Sequence, residues 1–189
     1  MGAKYIVQNA HYDYNTPDMI VVSPTVFTSA KYDSEEGLSF KVLTSQYDNF
    51  RDELENDLMP AIESRYSIKT GRDNTAIAGY SLGVRESSYI GFKDKFGYIG
   101  AFSATNGIFK DEVWADAALK GYAYTNLKNN YKLLLYQVGT EDPYIDGVRE
   151  FKQLFDKYNV QYMYYEMPGD HEAAVWQHGL YNFARRIFR

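Results

Sequence analysis

The sequence has no cysteine. Disulfides and thiolate chemistry are therefore excluded, and cysteine usage carries no information about compartment. Histidine is scarce as well. Three residues, with no cysteine beside them, leave a catalytic zinc site short of ligands. Basic charge is also low: 20 Lys and Arg stand against 25 Asp and Glu, a net charge of −5. Nucleic acids and anionic membranes both require basic patches, so neither is expected as a partner. No apolar run approaches the roughly 18 residues of a membrane-spanning helix. The opening residues, MGAKYIVQNAHYD, lack the apolar core of a signal peptide. There is no internal repeat, low-complexity tract or long linker.

What remains is 189 residues of ordinary globular composition, 45% of them hydrophobic. That is enough for one domain with a real core and too little for two comfortable ones. Aromatics reach 17%, with 19 tyrosines. Such rings fill half-buried positions, or they form the amphipathic surfaces common at carbohydrate and aromatic-ester sites.

Short apolar runs alternate with helical periods along the chain. Strands are expected at residues 19–23 (MIVVS), 74–80, 98–103, 132–138 and 161–167. The run KLLLYQV at 132–138 is apolar through most of its length, as a strand buried on both faces should be. Helices are expected at 49–66, 82–93, 113–119, 145–158 and 175–188. In the first of these Leu54, Leu58, Ala61 and Ile62 share a face, and Pro60 should kink or break it. In the helix at 145–158 Val148, Phe151, Leu154 and Phe155 point inward. The polar stretch 29–46, which contains Gly37, has no clear period and reads as a loop or lid over one end of the sheet. Alternating strands and helices predict an α/β fold, a mostly parallel sheet with helices on both faces.

Gly79-Tyr80-Ser81-Leu82-Gly83 matches G-x-S-x-G in the context its mechanism needs, a strand before and a helix after. The turn is sharp, and a Cβ at either glycine is expected to crowd the strand or helix. The Ser81 hydroxyl then stands above the carboxyl edge of the sheet. The Leu82 N–H, at the helix N-terminus, points the same way and is a candidate oxyanion donor.

A serine hydroxyl needs a base. His11 precedes the first clear strand, and His178 reads as a helix-face residue. His171 lies in a glycine-containing loop directly after a strand, where α/β sheets build their sites, and is the candidate base. Its partner acid is expected in GTEDPY, with Asp142 as first choice and Glu141 as fallback. The chain order Ser81, Asp142, His171 is that of the α/β-hydrolase fold. Other chemistries fit worse. HEAAV has Val175 where H-E-x-x-H needs its second ligand. No S-x-x-K and no phosphate-cradling glycine loop is present.

The blocks AIAGYSLG, FGYIGAFSATNG, YQVGTEDPY and GDHEAAVWQHGLYNF, in this order, resemble the esterase D-like carbohydrate esterases, specifically the feruloyl and acetyl-xylan esterase group. NFRDELENDLMPAIESRYSI resembles the helix before their nucleophile strand. The resemblance spans residues 18–188. It implies serine-ester hydrolysis with Ser81 as nucleophile, His171 as base and Asp142 as orienting acid, and no cofactor. It also implies plant cell wall polysaccharide or small aromatic esters as substrates, and secretion. Members of the group have a longer N-terminal part, whose His-Gly-type loop supplies a second oxyanion donor. Two expectations follow for this single α/β-hydrolase domain, 1–189. Either residues 4–8 (KYIVQ) form a substitute strand with residues 9–12 as its loop, or the N-terminal strands are absent. In the second case the sheet has an open edge that favours a homodimer. A non-catalytic carbohydrate-binding scaffold, a siderophore esterase and a thioesterase remain as alternatives.

Overall fold

A computed structural model describes residues 2–92, 95–105 and 131–189. Contacts divide the chain into two units, one of Met1–Ile20 with Gly71–Arg189 and the other Val21–Thr70.

Among the described residues, the larger unit is built on four parallel strands: β1 (Ala76–Tyr80), β2 (Tyr98–Phe102), β3 (Leu133–Gly139) and β4 (Met163–Met167), in the order β1-β2-β3-β4. Parallel neighbours need crossovers. Helix α5 (Gly83–Gly91) lies between β1 and β2, and α6 (Ile145–Lys157) lies between β3 and β4. The final helix, α7 (Ala173–Ala184), follows β4. The central strands β2 and β3 are buried almost throughout, whereas β1 and β4 are only partly covered.

Alternation along β2 and β3 sorts the core into two layers. Ile99, Ala101, Leu134, Tyr136 and Val138 pack with Val84 of α5 and with Val148, Phe151 and Phe155 of α6. Tyr98, Phe102 and Leu135 pack with Phe183 and Ile187 on the other face. Leu154, expected to face inward, is partly buried against the first layer. Helix α7 approaches closely at Gly179, where an added Cβ would lie 2.7 Å from the Phe102 ring.

Two expected strands are not formed. Residues 4–8 lie inside helix α1 (Ala3–Tyr14). The buried and half-buried positions Ala3, Ile6, Val7, Ala10 and His11 recur at helical spacing, so a 3.6-residue period overrides the apolar pair in KYIVQ. Asn15 ends this helix at φ 50, its N–H bonded to the His11 carbonyl. Residues 9–12 are therefore helical and make no oxyanion loop. Residues 19–23 are also not a strand: Ile20, Val21 and Val22 are 46%, 46% and 42% exposed. Their β-forming side chains have no ladder partner among the described residues, and propensity alone does not make a strand.

The smaller unit is helical. Helix α2 (Phe40–Asp48) starts where Ser39 accepts the Val42 N–H at 3.4 Å, so it occupies the end of the stretch expected to be irregular. Helix α3 (Phe50–Glu53) runs through a π turn, Leu54–Leu58, into α4 (Met59–Arg65). The irregularity expected at Pro60 thus falls in the turn before it, where the Met59 N–H reaches back to the Leu54 carbonyl. A widened turn makes room for the proline ring without ending the helix. The helix expected at 113–119 lies outside the described residues.

Candidate active site

The site lies at the carboxyl ends of three strands. Ser81 follows β1 directly, and its N–H donates to the Phe102 carbonyl at 3.0 Å, which extends the β1–β2 ladder by one residue. It sits at φ 53, left-handed for a non-glycine residue. Such a conformation costs about 1–3 kcal/mol and persists only where its surroundings hold it. Gly79 makes the turn possible: a Cβ there would lie 1.9 Å from the Gly83 carbonyl oxygen. Gly83 differs from the expectation, since a Cβ on it would meet nothing within 4 Å. Among the described residues, the Leu82 N–H takes no part in the turn's hydrogen bonds. Those run from Val84 N to the Ser81 carbonyl and from Arg85 N to the Leu82 carbonyl, both 3.0 Å.

Asp142 and His171 come from the loops after β3 and β4. His171 Nε2 lies 2.9 Å from Ser81 Oγ, and His171 Nδ1 lies 2.9 Å from Asp142 Oδ2. The Asp142 side chain is fully buried. Its second oxygen accepts the Tyr144 N–H at 2.9 Å. A carboxylate only accepts, so the proton of neutral His171 sits on Nδ1 and Nε2 is free to take one from Ser81.

Aromatic rings flank the imidazole. Tyr144 and Trp176 meet His171 edge-on, with centroids 5.0 and 5.1 Å away. Trp176 in turn stacks on Tyr80 at 4.5 Å. The sequence reading missed these three residues. Their only signal was position: one precedes Ser81, one follows Asp142 by two, and one follows His171 by five.

The structure separates the remaining candidates from this cluster. His178 is on α7, with Nδ1 near the Tyr165 hydroxyl and the Asn182 amide, both at 3.2 Å. Burial and then Arg185 lower its pKa. His11 Nδ1 lies 2.6 Å from the Thr16 carbonyl, at the end of α1. The Glu141 carboxylate accepts the Gly169 N–H, while it is Asp142 that meets His171 Nδ1. Among the described residues, no group of three or more His, Asp or Glu is arranged to hold a metal ion.

A parallel sheet with a serine on a strand-to-helix turn, and with histidine and buried aspartate at later strand ends, defines an α/β-hydrolase fold. A family model described as "Putative esterase" matches residues 2–187, and the chain belongs to that family. It is similar to a ferulic acid esterase from the anaerobic fungus Anaeromyces mucronatus. The identity is 29%, with 95% of this chain and 68% of that one covered and a TM-score of 0.75. Against the same enzyme in complex with ferulic acid the TM-score is 0.79, with 29% identity and 95% and 69% coverage. An S-formylglutathione hydrolase from Staphylococcus aureus shares the fold at 19% identity, TM-score 0.60, with 78% of this chain and 65% of that one covered. The chain is a serine esterase, a carboxylic ester hydrolase.

Proposed function

We propose that this esterase cleaves feruloyl or acetyl esters of plant cell wall polysaccharide through an acyl-enzyme on Ser81. The observation that carries the mechanism is the continuous relay from Ser81 Oγ through His171 to Asp142, 2.9 Å at each step. Ser81 Oγ attacks the ester carbonyl while His171 Nε2 takes its proton. Asp142 steadies the resulting imidazolium. The Leu82 N–H donates to the tetrahedral oxyanion. His171 then passes the proton to the leaving sugar hydroxyl as the C–O bond breaks. Water repeats the sequence on the acyl-enzyme, releases the carboxylic acid and restores Ser81. No cofactor enters these steps.

The substrate class is supported by the likeness to the Anaeromyces mucronatus esterase that has been captured in complex with ferulic acid. The stacked Tyr80 and Trp176 rings beside the serine are in keeping with an aromatic acyl group.

Fluorophosphonate labelling read by intact mass tests the mechanism. Wild type is expected to take one label, and Ser81→Ala and His171→Ala none. An unlabelled, folded wild type would overturn it. A panel of methyl ferulate, acetylated xylan and simple acetate esters tests the substrate. A clear preference for simple esters over both others would sink the cell wall reading and leave the esterase intact.

A further inference from the structure

We infer that Glu141 is a positioning residue that locks the acid loop to the base loop, and so sets the distance between Asp142 and His171. The inference rests on ester hydrolysis by Ser81, His171 and Asp142, and is independent of the acyl group.

Asp142 and His171 lie on separate loops, and nothing in either loop alone fixes their spacing. The β3–β4 ladder ends with Gly139 opposite Met167, before either residue is reached. Beyond it the two chains stay joined. The Thr140 N–H donates to the Met167 carbonyl at 2.8 Å, and the Glu141 N–H donates to the Gly169 carbonyl at 3.0 Å. The Gly169 N–H donates back to the Glu141 carboxylate. Glu141 and Gly169 therefore bind each other in both directions, one residue before the acid and two before the base.

Glycines at both ends permit this approach. A Cβ on Gly139 would stand 2.1 Å from the Gly169 carbonyl oxygen. Gly169 itself has φ 132, a region side chains rarely adopt. On the far side of the lock, Asp170 Oδ1 accepts the His171 N–H at 2.6 Å. The Glu141 side chain is exposed, so core packing does not account for it. The Gly169 N–H also holds the Glu141 carboxyl below the usual carboxylate range, as an ionised acceptor requires.

Two substitutions separate reach from charge. Glu141→Gln keeps the length and an acceptor oxygen but loses the charge. Glu141→Asp keeps the charge but is one methylene too short for Gly169. The lock predicts that Glu141→Gln stays within about threefold of wild-type kcat on p-nitrophenyl acetate. Glu141→Asp should lose about ten- to a hundredfold in kcat with little change in KM, the scale of a misplaced catalytic group. The rate of fluorophosphonate labelling should follow the same order. The downfield proton resonance of the His171–Asp142 hydrogen bond should persist in Glu141→Gln and weaken in Glu141→Asp. Equal kcat in the two variants, or a slower Glu141→Gln than Glu141→Asp, overturns the lock while a labelled wild type leaves the esterase mechanism standing. A wild type that does not label overturns both.

Discussion

The Tyr80 and Trp176 rings stack with centroids 4.5 Å apart and planes 26° apart. One ring belongs to the last residue of β1, immediately before Ser81. The other belongs to the first turn of α7, and its edge meets His171. The stack thus ties the backbone that carries Ser81 to the helix beside His171. Trp176→Ala should lower kcat/KM about tenfold and cost about 1–3 kcal/mol of stability, while Trp176→Phe should recover most of both. Steady-state kinetics with urea unfolding checks this. An alanine variant with wild-type kcat/KM would show that the rings do not steady His171.

Asp142→Asn is expected to fold and to bind substrate, yet to lose about 10³- to 10⁴-fold in kcat. An amide in this position no longer favours the Nδ1–H tautomer. The contrast is His178→Gln, whose imidazole bonds to Tyr165 and Asn182 away from the serine. That variant should keep kcat within about twofold. Comparable losses in both would sink the assignment of the base.

The two glycines of the G-x-S-x-G turn should respond oppositely. Gly79→Ala places a methyl against the Gly83 carbonyl at 1.9 Å, and backbone on both sides leaves no cheap relief. It should fail to accumulate as folded protein or lose more than about 3 kcal/mol. Gly83→Ala meets open space at the first position of α5. It should be neutral or stabilising by up to about 1 kcal/mol, with labelling at Ser81 retained. Thermal melts and fluorophosphonate labelling of the pair check both expectations.

Glu166 supplies a pH-dependent contribution to stability. Arg149 grips both of its oxygens, at 2.8 and 2.7 Å. That hydrogen bonding, with help from the Tyr164 hydroxyl, holds the Glu166 pKa at about 2, below its ordinary 4.5. A depressed folded pKa gives stability that is full above the unfolded value and fades as pH falls through the folded one. The stabilisation should therefore be present above pH 4.5 and vanish toward pH 2. The pair is solvent-screened, so its contribution should be small. Urea unfolding of wild type and Glu166→Gln across that window should show the difference shrinking as acid is added. A difference that is constant with pH would contradict it.

The sequence was most legible where burial is two-sided. The run at 132–138 and the turn at Ser81 could be read because continuous apolar strands and a glycine flush against a helix leave few alternatives. Asp142 and His171 followed, since residues just past strand ends converge in a parallel sheet. Short apolar runs at the start of the chain were ambiguous. In α1 a twelve-residue helical stripe takes over a five-residue strand signal, and residues 19–23 carry strand-forming side chains without a partner strand among the described residues. In the sequence Glu141 stands only as a spare acid beside Asp142. Its bond to Gly169 depends on two loops 28 positions apart, and local pattern carries no trace of such a contact.

Ser81 and His171 stand 90 positions apart and hang from β1 and β4, the two outer strands of the described sheet. Every intervening strand must be in register before Ser81 Oγ and His171 Nε2 can meet. On refolding from denaturant, catalytic competence should therefore return behind the recovery of helix signal, because its defining contact spans 90 positions and needs both outer strands docked. On heating, fraying of either outer strand would inactivate the enzyme while β2 and β3 remain intact. A hydrolysis assay on this protein is thus also a register gauge for the sheet from β1 to β4.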